Sequence, residues 1–281
     1  MNPQYSPLIG PNQFNLIRLL AAGQVLWVHS LNHLNYEGPL VAIIKAIPGV
    51  PVFFFISGLL ISQAYLRSHT AGLQAFLRNR ALRIFPALGA VVLLSGIMLF
   101  LIGFLQPSFL FTSQFLTWLL AQSSVVQFYN PDFLRTFGFG VLNGSLWTIS
   151  VELQFYLITP ILIYLLKQRS RGFFMVFILS LGLNIWLHVD PPGTFFLKKL
   201  LYVSSLPWLY MFMCGVLAAS HLQLVKNFVA RWPWSVWIGL YTASMIFVGE
   251  CENNASNAIH PLAFGLIGLM VLKAAFPINL K

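Results

Sequence analysis

The chain has 281 residues, of which 58% are hydrophobic and 8% are charged, with a mean hydropathy of +0.79. Soluble domains carry about 25% charged residues, so a soluble globular enzyme does not fit and the composition is that of an integral membrane protein. The net charge of +10, from sixteen Lys and Arg against six Asp and Glu, falls between apolar runs; it reads as a topology signal, and no nucleic-acid motif accompanies it.

The opening "MNPQYSPLIGPNQ" has no basic n-region and no cleavage site. It therefore reads as the lead-in to a retained first span rather than a removable signal peptide. A membrane-crossing helix needs roughly 20 apolar residues. Such runs predict spans near 14–34, 47–66, 86–106, 145–166, 172–189, 199–219, 234–250 and 259–276. Residues 67–85, "RSHTAGLQAFLRNRALRIF", read as a basic interfacial helix. Residues 109–127 either cross, lie at the interface or re-enter. With the N-terminus cytoplasmic and 109–127 not crossing, Arg67, Arg78, Arg80, Arg83, Lys167, Arg169, Arg171, Lys226, Arg231 and Lys281 fall inside. Only Lys45, Arg135, Lys198 and Lys199 fall outside, with the acidic Glu37, Asp132, Asp190, Glu250 and Glu252. That is the positive-inside bias. Cys214 and Cys251 have neither metal-ligand spacing nor a disulfide framework. There is no internal repeat or soluble domain boundary. The expectation is one all-α polytopic domain over 1–281, a single bundle of about eight to ten transmembrane helices.

An ionisable side chain inside a span is costly and marks a functional site by default. Arg18 and His29 are eleven residues apart on the first span. Eleven steps of about 100° close to within about 20° of three turns, so both project from one stripe, roughly 16 Å apart along the axis. A charged anchor and a base on one stripe suit a long substrate with an anionic end and a reactive tip. The plainer alternative has Arg18 snorkelling to headgroups and His29 packed in the core; His33 is a weaker candidate. Glu152 falls roughly 10 Å below the outer surface, by helical rise, at a depth similar to His29. There a carboxylate would fix the imidazole tautomer and raise its basicity. Alternatively it bridges spans by bonding Trp147, Tyr156 or another polar partner. Arg78, Arg80 and Arg83 suit phosphate oxygens, or form an ordinary basic cluster on anionic lipid. Pro48 and Pro51 suit a helix start. Ser57 and Gly58, in an aromatic run, admit either a neighbouring helix or a slender ligand.

Four stretches, in order, carry a resemblance: "RLLAAGQVLWVH", "FFFISGLLI", "LRNRALRIFPAL" and "GSLWTISVELQFYLITP". Together they resemble the acyltransferase 3 family of multi-span membrane acyltransferases, which includes bacterial O-acetyltransferases of surface polysaccharides. Residues 161–281 match it only in hydropathy. Leu153 stands where the family's "VEEQ" has a second acidic residue, and "AAFPINLK" stands where relatives usually continue into another span, so that span is expected to be missing. The resemblance implies transfer of an acyl group, commonly acetyl, from cytoplasmic acyl-CoA to an acceptor hydroxyl on a cell-surface or lipid-linked glycan, at or beyond the outer leaflet of the bacterial inner membrane. It also makes His29 and Arg18 the essential pair. On that reading Arg78, Arg80 and Arg83 hold the donor phosphates, and the arm passes Ser57 and Gly58 to reach His29. Glu152 then orients the imidazole, and Asn143, Trp147 or Ser150 polarises the thioester carbonyl. No metal is expected. The rival reading is a proton-coupled transporter or flippase of a small anionic or glycan substrate.

Overall fold

The computed structural model describes residues 12–34, 48–68, 72–138, 140–189, 196–250 and 255–276, with 36, 38, 41 and 44. Glu37, Lys45, Asp190, Cys251, Glu252 and Lys281 lie outside the described residues. The apolar runs become helices: α1 (Phe14–His33), α2 (Gly49–Arg67), α3 (Gly72–Leu101), α4 (Ser113–Gln122), α5 (Trp147–Gln168), α6 (Ser170–Val189), α7 (Phe196–Tyr202), α8 (Leu209–Ser220), α9 (Leu222–Arg231), α10 (Trp234–Glu250) and α11 (Ala255–Ala275). No strand occurs among the described residues. The chain is an all-α integral membrane protein. Among the described residues α2, α3, α5 and α6 are long and apolar enough to cross a membrane, and the bent pair α7–α8 passes the same test only when its two helices are taken together, as a broken span or a re-entrant loop. In α1, Arg18, Gln24 and His29, with Asn15 and the polar last turn Ser30–His33, dilute an apolar helix of 20 residues.

Two expectations need correction, on the basic segment and on the span over 199–219, and the open 109–127 stretch takes a definite form. The basic segment is not a separate interfacial helix: α3 runs unbroken for 30 residues through Pro86. A proline removes one i→i−4 bond and bends a helix, but neighbouring turns can carry it. At 1.5 Å per residue α3 is about 45 Å long, longer than the roughly 30 Å hydrocarbon core, which leaves length enough for its arginine-bearing first turns to reach past the apolar layer. It ends near Leu101, short of residue 106, where Gly103 adopts φ +72, the left-handed conformation that stops helices. The ambiguous 109–127 stretch contains a short 3₁₀ turn and the 10-residue α4, capped by the Thr112 hydroxyl. Its helical part spans about 15 Å, half of what a crossing needs. The expected span over 199–219 is broken between Tyr202 and Leu209, with a bend of 45°. Pro207 lies in the break, and the freed Ser205 amide donates to the Gln154 side chain at 2.8 Å.

The bundle is organised on α2, most of whose residues are buried. Its Gly58 faces α8 so closely that a side chain there would meet the Phe212 carbonyl, and one at Gly215 would meet the Phe55 carbonyl. Such small-residue contacts let helix backbones approach in lipid. Gln24 of α1 ties the start of α2: its side chain accepts from Gly49 N at 2.9 Å and donates to the Ile44 carbonyl at 3.0 Å. Phe54, Phe155 and Phe212 link α2, α5 and α8: Phe54 meets Phe155 edge-on with ring centroids 5.3 Å apart, and Phe155 stacks on Phe212 at 4.4 Å.

Candidate active site

Two helix faces confront each other across a cavity of about 710 Å³. From α1 come Arg18, Ala22, Val25, Leu26, His29 and Ser30, which follow the i, i+4, i+7, i+11 spacing of one helical stripe. From α5 and the turn before it come Ser145, Trp147, Thr148, Ile149 and Glu152, again largely one stripe. Phe53 and Phe54 of α2 and the segment Val141–Gly144 complete the wall. A smaller cavity of about 240 Å³ adjoins it, lined by Arg83, Ile84, Ala87, Leu88 and Val91 of α3 with Leu146, Tyr156, Arg18, Ile149 and Glu152. Arg18, Ile149 and Glu152 line both cavities. This shared wall is the neck: Arg83 lines only the smaller cavity, and His29, itself exposed, only the larger. A third cavity, about 720 Å³, lies on the other side of α1. Its lining is almost wholly apolar, its Gln24 is already committed to Ile44 and Gly49, and it touches none of the candidate residues.

Arg18, His29, Glu152, Asn143 and Trp147 are thus brought together on one cavity. Arg83 joins them through the neck, itself exposed at the wall of the smaller compartment. Arg80 is half-buried beside Tyr156, within electrostatic range of Glu152 and Arg83, and its Nε is buried without a hydrogen-bond partner. Arg78 is exposed and lines neither cavity. His33 closes α1, but its side chain lies outside the described residues.

Of the two alternatives for Glu152, the structure shows the bond to Tyr156. The Glu152 Oε1 accepts a 2.7 Å hydrogen bond from the Tyr156 hydroxyl and a long 3.5 Å one from Ser57. No hydrogen bond or ion pair joins it to His29 among the described residues. Glu152 shares the neck with Arg18, whereas His29 lines only the larger cavity. Ser57 lines neither cavity; its hydroxyl is directed at Glu152. Gly58 serves helix packing against α8, not a ligand path. Ser150 is fully buried and donates to the Val125 carbonyl at 2.6 Å, so its hydroxyl tethers α5 to the segment after α4 and is not offered to a substrate. Asn143 keeps its place on the wall while its Oδ1 accepts from Ser145 N and Ser145 Oγ at 3.2 and 2.6 Å. Sequence reasoning passed over Ile149, Ser30, Ser145 and Thr148 as wall residues. The stripe they share with Glu152 and His29 was the available signal.

Residues 12–279 match a family model described as an acyltransferase domain. The chain is 34% identical to "Nodulation protein 10" of Rhizobium leguminosarum bv. viciae, over 94% of this chain and 76% of that protein. It is 30% identical to an "O-acetyl transferase" of Shigella phage Sf6, over 62% of this chain and 52% of that protein. It is 27% identical to "O-acetyltransferase OatA" of Staphylococcus aureus, over 67% of this chain and 31% of that protein. It therefore spans about half and about a third of the length of these last two relatives. No solved structure matches it. With a family match that runs through every helix of the bundle, the chain belongs to the acyltransferase 3 family.

Proposed function

We propose that the protein moves an acyl group, acetyl in the simplest case, from cytoplasmic acyl-CoA to a hydroxyl of a cell-surface or lipid-linked glycan. The observation that carries this is the shared cavity: Arg18 and His29 lie on one wall, Glu152 on the facing wall, and a neck leads to Arg83. Two O-acetyltransferases among the relatives support the acetyl group and the hydroxyl acceptor. The basic excess on α3 and at the α5–α6 turn supports a cytoplasmic N-terminus in a bacterial inner membrane. Arg83 and Arg80 hold the phosphates, with Arg18 just inside. The slender arm passes the neck, and the thioester lies near His29. Arg18 to His29 is about 16 Å by helical rise, the order of length of that arm.

In this reading His29 takes the proton from the acceptor hydroxyl. The oxygen attacks the thioester carbon, the C–S bond breaks, and the departing thiolate takes the proton back from the imidazolium. Glu152 contributes a negative field from across the cavity that favours the imidazolium. The test is purified protein in proteoliposomes with labelled acetyl-CoA and a panel of oligosaccharides. His29→Ala should lower transfer by about 10²–10⁴-fold, as expected for a positioned general base, with insertion unchanged. Retained turnover in that variant removes His29 from the chemistry.

A further inference from the structure

We infer that Tyr156 is a positioning residue: it pins Glu152 into the wall of the neck and so keeps Arg18 free for the donor. This inference rests on the proposed acyl-CoA reading. Glu152 and Tyr156 stand one turn apart on α5, and helical side chains lean toward the N-terminus, so the phenol at i+4 reaches back over the carboxylate. The hydroxyl donates to Oε1 at 2.7 Å, and Ser57 supplies a second, longer contact from α2. Tyr156 is itself buried, packed in the cluster with Phe155, Phe212 and Trp208, so its own position is fixed.

The need for such a restraint follows from the charges. Glu152 shares the smaller cavity with Arg18 and Arg83, and Arg80 lies beside Tyr156 within electrostatic range of Glu152. A glutamate has three rotatable bonds, and opposite charges a few ångströms apart in a partly desolvated site attract strongly. Yet no ion pair joins Glu152 to Arg18 or Arg83 among the described residues. The hydroxyls of Tyr156 and Ser57 hold the carboxylate instead. Released, it would swing to Arg18, close the neck and occupy the cation that the donor requires.

The experiment measures acetyl-CoA binding to the full chain in nanodiscs, by equilibrium dialysis, for wild type, Y156F, S57A, E152Q and the double variants E152Q/Y156F and E152Q/S57A. Y156F should raise the Kd roughly tenfold or more, the scale of one hydrogen bond to a charged group. S57A should shift it in the same direction by less. Adding E152Q should reverse both, bringing each double variant to within about twofold of E152Q alone, because the swinging charge is gone. A merely structural loss would persist in the doubles. An unchanged Kd in Y156F, or doubles as weak as the singles, overturns the inference. S57A with its double decides the matter should Y156F not fold. Wild-type protein that does not bind acetyl-CoA overturns the proposed function itself, a result distinct from wild-type binding with no Tyr156 effect.

Discussion

Replacing Arg83 and Arg78 separately by alanine asks whether the smaller cavity is the donor entrance. The two lie five residues apart on α3 and look equivalent in sequence. Both are exposed, but Arg83 lines the cavity that also holds Arg18, Tyr156 and Glu152, whereas Arg78 lines neither compartment. A hydrogen bond to a charged group contributes about 1.5–3 kcal/mol, and about 1.36 kcal/mol is tenfold. Arg83→Ala should therefore raise the KM for acetyl-CoA roughly ten- to hundredfold. A solvated charge that makes no direct contact with the donor contributes about 0–1 kcal/mol, so Arg78→Ala, outside both cavities, should raise it by no more than about fivefold, and added salt should shrink that difference further. The assay is release of CoA thiol by protein in proteoliposomes, titrated in acetyl-CoA at saturating oligosaccharide and then the reverse. Dependence on the oligosaccharide should not move in either variant. Equal effects of the two substitutions, or an Arg83→Ala variant with wild-type KM, would refute the assignment of the entrance.

Other substitutions probe the site from different sides. Glu152→Gln should lower kcat more than it weakens acetyl-CoA binding, measured by comparing turnover with dialysis; a loss confined to expression would make Glu152 structural. Ser150→Ala leaves the Val125 carbonyl unpaired and should cost about 1–3 kcal/mol of stability, seen as a lower Tm, with both KM values unchanged. Gly58→Val drives a side chain into the Phe212 carbonyl; it should destabilise by roughly 1–3 kcal/mol or more and lower the yield of monodisperse protein.

Much of the helix inventory was legible because lipid demands long apolar runs. Arg18 and His29 were legible as a pair because one helix fixes the angle between its own residues. What the sequence withheld was relations between elements. Pro86 looks like a boundary between a basic helix and a span, yet α3 continues through it. The Ser205 amide, satisfied by Gln154 from another helix, allows the break before α8, and no local pattern announces that donor. Ser57, Gly58 and Ser150 looked like ligand contacts because small and hydroxylated residues serve helix packing and substrate alike.

Ser57 and Gly58 show how packing and site are joined. Successive helical residues point about 100° apart, so the two cannot face the same neighbour. Gly58 meets α8 at a crossing too close for any side chain there, and that contact fixes the rotation of α2 about its axis. With the rotation fixed, Ser57 is directed at Glu152 on α5, and Phe53 and Phe54 form part of the cavity wall. A slight loosening of the α2–α8 crossing would turn all three together. The α2–α8 crossing thus bears, through Ser57, on a carboxylate that it never touches.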